Sequence, residues 1–457
     1  MKPNKFAVRL LIQAEKDAVY LWHLNRASFS RSLPSWERAT VLSREELPGR
    51  QVRVVVVYQK AFRRVKAVFR IHYPIGGQII RIKEESGTVK SLDFQIEIKS
   101  LGENLYELLE RVEYTLSWPK IFPGIRKKRF DKRLQRFFDY KHEIMIRDLE
   151  LLKHPVKPLK ILVSGSKGLI GSSLVEYLEA FGHEVWKLVR KKEDVKGHFD
   201  ILCNIESGEV NRSSLEGFDA VVHLWGRSIQ DRWTSKNKQE IQESRYEATK
   251  QLSKILASLQ KPPKAFLCAS AVGYYGDHGN EWVDEYSQNG GHSFLRDVCK
   301  AWESASEFLK VHGIRVVHLR FGVVLSSKKG ALYEMVKMVR RGIGGVLGKG
   351  DQYMSWIAID DVASAIYHTI LHTTLEGAVN VCSPNPISNR EFSKKISIYL
   401  KRPLGPNLPP SILRFLKGEM ADELLLSSVK VYPKKLIESG YEFQYTYLED
   451  ALPHLIY

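Results

Sequence analysis

The chain has 457 residues, 44% of them hydrophobic and 27% charged, with a formal net charge of +18. That length exceeds one ordinary core and predicts two or three domains, and the composition excludes disordered and fibrous classes. No run approaches the roughly 18 uncharged apolar residues of a membrane span. Arg9, Glu15 and Lys16 interrupt the short apolar stretch near the start, so neither a transmembrane segment nor export is expected. Cys203, Cys268, Cys299 and Cys382 lack C-x-x-C spacing, which argues against a disulfide framework or a metal site and predicts a reducing, cytoplasmic setting.

The front of the chain is its basic part: residues 1–152 hold 30 Lys plus Arg against 18 Asp plus Glu. Alternating segments follow an early helix, QVRVVVVYQK, KAVFRIHYP, GQIIRIKEE, LDFQIEIKS and YELLERVEYTLS, and read as successive antiparallel strands. The dense basic run from Gly124 to Leu152 carries Leu134, Phe137, Phe138, Ile144, Ile146 and Leu149 at spacings near three and four, which predicts an amphipathic helix with a basic outer face. A solvated face over a buried stripe is the reading preferred for that charge. A polyanion or anionic-membrane surface is the alternative, but no stacking platform or binding motif accompanies it, so nucleic acid is not an expected partner.

A curved sheet closed over a C-terminal helix is the economical arrangement for residues 1–152. With Trp22 and His23, the SWER of residues 35–38 and the FFDYKH of residues 137–142, this segment resembles the START-like polyketide cyclase and dehydrase superfamily. The resemblance implies a helix-grip α+β domain around a cavity for an apolar ligand; a scaffold with a filled interior fits the same marks. Two prolines in KHPVKP then break the chain, so residues 153–158 are expected to be a linker.

Beyond the break, an apolar strand (161–163), a glycine turn, an amphipathic helix and a second strand (184–189) form one βαβ unit. Gly165, Gly168 and Gly171 spell G-x-x-G-x-x-G. The spacing permits a tight turn, close backbone approach to a pyrophosphate and close helix packing, with the anion at the helix amino end. The candidate cofactor cradle is therefore Gly165, Ser166, Lys167, Gly168, Leu169, Ile170 and Gly171. At the end of the second strand, where an acidic residue would hold the ribose of NAD, Val189 is followed by Arg190, Lys191 and Lys192. These cations favour a 2′-phosphate, so NADP is expected before NAD, with Arg190 as its contact.

The next strand, FDAVVHLWG, brings Leu224 and Gly226 to the carboxyl edge, with Arg232 beyond. KAFLCASAVGYYG brings Ser270, Tyr274 and Tyr275 to the same edge. Near-continuous apolar strands separated by helices predict a doubly wound parallel sheet. His223 reads as a core histidine, the acidic loop 277–285 as solvated, and Asp360 and Asp361 as helix N-caps.

The pieces GSKGLIG, DRWTSKNKQEIQESR, ASAVGYYGD, FLRDVCKAWE, LRFGVVLS, GKGDQYMSWIAIDDV, GAVNVCSPNP, GEMADELLLSS and PKKLIESGYEF cover essentially all of residues 159–457. Together they resemble an atypical, sugar-nucleotide-epimerase-like branch of the NAD(P)-dependent epimerase/dehydratase family, within the short-chain dehydrogenases/reductases. The resemblance implies a Rossmann-type domain over residues 159–400, a C-terminal α/β domain of unknown function over 401–457, and an epimerase or oxidoreductase acting on a small hydroxyl or carbonyl substrate. It also implies a Tyr-x-x-x-Lys pair in the helix after Ser270. With Glu303 set on the acidic residue that often closes that motif, Leu295 stands where Tyr belongs and Cys299 where Lys belongs. The strings YEATK (246–250) and YEMVK (333–337) lie elsewhere and read as coincidences. Ser270 and Tyr274 remain the candidate catalytic groups. The alternative is a non-catalytic NADP-binding sensor coupled to the START-like domain.

Overall fold

A computed structural model describes residues 3–15, 17–60, 63–73, 79–87, 89–116, 123–154, 156–204, 209–229, 231–288 and 292–456. Pro155 of the expected linker and the strand-end residues Pro74, Gly77, Gln78 and Ser117 lie outside them. The chain divides into two compact units, Met1–Lys157 and Pro158–Tyr457.

The first unit contains β1 (Asn4–Gln13), α1 (Ala18–Leu24), α2 (Arg26–Arg31), β2 (Ala39–Leu47), β3 (Gln51–Lys60), β4 (Arg63–His72), β5 (Ile79–Ser86), β6 (Ser91–Gly102), β7 (Leu105–Thr115) and α3 (Pro123–Leu152). Its strands form one antiparallel sheet in the order β1-β7-β6-β5-β4-β3-β2, so the first strand closes onto the last through the register Leu10↔Leu108. Period-two patterning sends Val52, Val54 and Val56 of β3 and Phe94, Ile96 and Ile98 of β6 to one buried face. There they meet Phe138, Ile144, Met145 and Leu149 of α3. Ile146 corrects the expected stripe: it is exposed on the outer face, because two residues beyond Ile144 the helix has turned about 200°.

Glu110 of β7 is fully buried and pairs with Lys141 and His142 of α3. Burial pushes its carboxyl up, but attraction to the Lys141 ammonium and the hydrogen bonds from Lys141 and His142 outweigh burial and hold it at about 2, against an ordinary 4.5. A depressed folded-state value stabilises the fold fully above about pH 5 and is lost as pH falls through 4.5 towards 2, on the order of 3 kcal/mol. Urea titrations across pH 2–6 are expected to show this acid dependence, and Glu110→Gln should remove that part of it. Identical acid curves for the two proteins would refute the pairing.

The second unit contains β8 (Lys160–Ser164), α4 (Leu169–Ala180), β9 (Glu184–Val189), β10 (Asp200–Asn204), β11 (Glu209–Val210), β12 (Ala220–His223), α5 (Ser235–Ala257), β13 (Ala265–Ala271), β14 (Trp282–Val283), α6 (Phe294–Glu307), β15 (Arg315–Phe321), β16 (Val323–Leu325), α7 (Ala331–Arg340), β17 (Tyr353–Met354), β18 (Trp356–Ala358), α8 (Ile359–Leu371) and β19 (Gly377–Val381). After β20 (Ile387–Ser388) come α9 (Asn389–Leu400), α10 (Pro410–Lys417), β21 (Lys430–Val431), α11 (Lys434–Glu438) and α12 (Leu448–Leu455). The large sheet runs β11-β10-β9-β8-β12-β13-β15-β19, parallel except for β11 at one edge. Taken from β10, this is the doubly wound order 3-2-1-4-5-6-7, with its switch point between β8 and β12. The C-terminal segment is woven into the same unit: β21 pairs with β14, and Leu448, Ala451 and Leu455 of α12 share a core with Trp356 and Leu332.

Asp360 and Asp361 sit differently from expectation. Ala358 is the N-cap of α8, and both aspartates lie within its first turn. Asp361 instead accepts from the backbone N–H groups of Gln444 and Tyr445, at 2.7 and 3.0 Å, tying the tail to the start of α8.

Candidate dinucleotide site

The glycine turn lies at the switch point. Gly165 follows β8 with φ +70°, and a Cβ there would stand 2.7 Å from the carbonyl oxygen of Leu224, just past β12. The Gly168 N–H donates to Gly165 O at 2.9 Å, closing the turn, and Gly168 is the N-cap of α4 with no side-chain cap. A Cβ on Gly171 would meet Gly165 O at 2.2 Å. The turn is thus wedged between one strand end and the first turn of a helix whose leading N–H groups point outward, a cradle suited to pyrophosphate. Leu169 and Ile170 open α4, and Lys167 pairs with Asp194 in the loop after β9.

Beside this turn a run of buried polar groups is linked by hydrogen bonds. Leu224 N donates to Ser164 Oγ at 3.0 Å, Ser164 Oγ meets His223 Nδ1 at 2.9 Å, and His223 Nε2 meets Thr249 Oγ1 at 3.0 Å. Burial lowers His223 to about 3, so it is a neutral core histidine, as its place in the strand suggests. Val189 is buried, whereas Arg190, Lys191 and Lys192 are exposed, and the Arg190 guanidinium lies 6.0 Å from the Trp225 ring centre. Arg232 is exposed. Trp233 is buried and donates to Ile229 O at 3.0 Å.

Gly226 faces a residue the motif reading passed over. A Cβ on Gly226 would lie 3.2 Å from the guanidinium of Arg245 on α5. Arg245 donates to Ile241 O and Arg227 O at 3.1 and 2.9 Å and packs on the Trp302 ring. Arg227 pairs with Glu240 and Asp231.

Ser270, Arg320 and Asn380 are in register across β13, β15 and β19. Ser270 is 3% exposed and donates to Glu303 at 2.7 Å; Arg320 grips both oxygens of Glu303 at 2.9 Å and donates to Tyr275 Oη at 3.0 Å. Tyr275, fully buried, donates to Asn380 at 2.8 Å and is a structural phenol. Tyr274 is partly exposed, its ring centre 3.4 Å from the Arg320 guanidinium carbon. The Glu303 and Arg320 partnership joins residues 17 apart across a helix and a strand, a pairing that no local spacing announces.

The helix α6 carries no Tyr-x-x-x-Lys. Leu295 packs towards Gly273, and Cys299 is buried, its thiol pushed up to about 12 by burial and by Glu303 against the opposing effect of Arg245. Glu423 accepts the Phe294 and Leu295 N–H groups at 2.9 and 2.8 Å, closing the start of α6. Tyr246 and Lys250 do touch, at 3.4 Å, but on α5; Tyr333 and Lys337 lie on α7. Among the described residues no group of three or more His, Cys, Asp or Glu is placed to hold a metal, and no helix is long and apolar enough to cross a membrane. The four cysteines are buried free thiols.

A doubly wound parallel sheet with a glycine turn at its switch point defines a Rossmann-type α/β protein. Comparison with known proteins narrows this. The NAD dependent epimerase/dehydratase family matches residues 161–382, and the domain of unknown function DUF1731 matches residues 408–455. The epimerase family protein ML0860 of Mycobacterium leprae is 35% identical over 64% of this chain and 94% of its own length. The human epimerase family protein SDR39U1 is 31% identical over 65% of this chain and 100% of its own. The chain belongs to the NAD-dependent epimerase/dehydratase family, in the group that carries this C-terminal domain. Among solved structures, a nucleoside-diphosphate sugar epimerase from Corynebacterium glutamicum superposes with a TM-score of 0.81 at 25% identity, covering 99% of this chain and 90% of its own. Human SDR39U1 isoform 2, solved with NADPH, gives 0.59 at 30% identity, over 65% and 99%.

Proposed function

We propose that the chain is an NADP-binding enzyme of epimerase or oxidoreductase type acting on a small hydroxyl or carbonyl compound. The observation that carries this reading is the glycine cradle at the switch point, where side chains at Gly165 and Gly171 would fill the space the backbone needs. Exposed Arg190 beside Trp225 gives the 2′-phosphate a partner, and human SDR39U1, a relative, was solved with NADPH. When bound, the nicotinamide supplies reversible hydride exchange at its C4.

In this reading, Tyr274 presents the phenol to the substrate oxygen, held from below by Arg320, which Glu303 fixes in turn. Ser270 acts through Glu303 as a positioning residue, since its proton is already committed there. A START-like ligand-binding role for residues 1–152 belongs to the same proposal; the antiparallel sheet, its packed α3 and the interior cavity support it. A second reading, an NADP-dependent sensor without turnover, is favoured by Leu295 and Cys299 occupying the places of the usual Tyr and Lys.

Arg190→Ala is expected to weaken NADPH by about 10- to 100-fold, the size of one charge-assisted hydrogen bond, and NADH by less than about threefold. Calorimetric titration of both nucleotides decides it; equal losses would reject the phosphate assignment. Turnover is checked with the pure full chain on a carbonyl and alcohol panel. Tyr274→Phe should abolish what is found, while Ser270→Ala should lower kcat with KM little changed. Stoichiometric NADPH binding with no turnover on any compound would select the sensor reading.

A further inference from the structure

The first unit holds a cavity of about 180 Å³, partly open to solvent, walled by Trp22, Phe69, Ile71, Phe94, Val112 and Phe138. A dry cavity near 150 Å³ accommodates benzene, so this one has room for a substituted ring. The polar groups on its wall are mostly satisfied from within the unit. Tyr73 donates to His23 O at 3.2 Å, Ser32 to Phe29 O at 2.8 Å, Arg133 pairs with Glu37, and Lys141 with Glu110.

His23 differs from these groups. Its Nδ1 lies 2.7 Å from Val19 O, and because a carbonyl only accepts, the proton sits on Nδ1. Nε2 is then a bare lone pair. That atom is buried, belongs to a residue lining the cavity and has no hydrogen-bond partner among the described residues. Burial, with Lys141 nearby, lowers His23 to about 3, so the ring stays neutral and cannot turn Nε2 into a donor near neutral pH. A buried acceptor left unpaired costs roughly 1–3 kcal/mol, which a donor arriving inside a ligand would recover.

We infer that this cavity binds a neutral, largely apolar molecule of one to two rings whose hydroxyl or N–H donates to His23 Nε2. The inference rests on reading the first unit as a ligand-binding domain and names the chemistry that domain selects. An anionic ligand fits less well, because the two cations on the wall, Lys141 and Arg133, are already paired with Glu110 and Glu37, and the Glu84 carboxylate lines the same space.

The test uses the full chain and four probes of similar shape: p-cresol, toluene, 4-methylanisole and p-toluate, titrated by calorimetry. One-to-one binding of p-cresol is expected, about tenfold tighter than toluene or 4-methylanisole, with p-toluate weakest. His23→Phe should bring p-cresol and toluene to within about twofold of each other and leave NADPH binding unchanged. If none of the four binds, the ligand-domain reading itself falls. If p-cresol and toluene bind equally to the unmodified chain, the cavity holds ligands but His23 does not select them, and the inference is overturned; tightest binding by p-toluate overturns it too. The probe series needs no variant, so it decides the matter even where His23→Phe fails to fold.

Discussion

Arg320→Met is expected to destabilise the sheet locally by about 3–5 kcal/mol, the loss typical of breaking a buried ion pair by removing one partner. Arg320 and Glu303 are 4% and 8% exposed. The guanidinium makes two hydrogen bonds to the carboxylate and one to Tyr275, and supports the Tyr274 ring. A methionine fills much of the same volume, so the loss is electrostatic: Glu303 keeps the Ser270 hydroxyl and, at 3.9 Å, the His318 ring, and Tyr275 keeps Asn380. Adding Glu303→Gln should recover part of the loss, because the stranded charge disappears; contacting residues of this kind are non-additive. Hydrogen exchange of the β15 amides measures the effect on the strand itself, which matters in a chain of two units where a single unfolding midpoint is ill-defined. A loss under about 1 kcal/mol, or a double variant as unstable as the sum of the singles, would mean that water screens the pair.

The consequences for the site differ between the two tyrosines. Tyr275 is bonded at its hydroxyl and buried, whereas Tyr274 offers its ring to Arg320 and part of its surface to solvent. A substitution at Arg320 therefore removes support from the one phenol of the pair that can reach a substrate. This is why the proposed chemistry and the stability of the strand ends are coupled through the same guanidinium.

Much of the dinucleotide half was legible because its signals are local. The apolar run before Gly165 and the stretch 184–189 read directly as strands, and the glycine spacing carries its own steric reason. The basic residues after Val189 are also contiguous with the strand they follow. The Glu303, Arg320 and Ser270 network was hidden, since its members come from α6, β15 and β13 and meet only once the two strands are in register and the helix lies over them. Arg245 was hidden for the same reason: its neighbours are Gly226 at one strand end and Cys299 and Trp302 on a different helix. Asp361 looked like a helix cap because local pattern favours one there, yet the tail at Gln444 and Tyr445 supplied better donors. In the first unit, alternation identified β3 to β7, whereas β1 and β2 were not among the expected strands, and the pairing of β1 with β7 joins segments about a hundred residues apart, which periodicity does not specify.

Gly171→Ala is expected to lower NADPH affinity by about 100-fold or more and to destabilise the unit by about 1–3 kcal/mol, the usual range for overpacking. Its Cβ would stand 2.2 Å from Gly165 O, 2.8 Å from Gly165 C and 2.9 Å from Ser166 Cα, all backbone atoms that no rotamer change can clear. Nor can the turn retreat, because the Cβ direction of Gly165 already faces Leu224 O at 2.7 Å and its φ of +70° is set by the turn. The methyl group must therefore push α4 away from β8, carrying the helix N–H groups off the pyrophosphate position. Gly168→Ala is the control within the same motif: its φ of −71° suits alanine, and its Cβ would meet only Gly165 O, at 3.1 Å. That substitution should weaken NADPH by less than about tenfold, a loss of under roughly 1.4 kcal/mol. Calorimetry on the three proteins reads the order directly. If Gly168→Ala proved as damaging as Gly171→Ala, contact between helix and turn would not be what shapes the site; if neither mattered, the nucleotide would have to lie somewhere other than this turn.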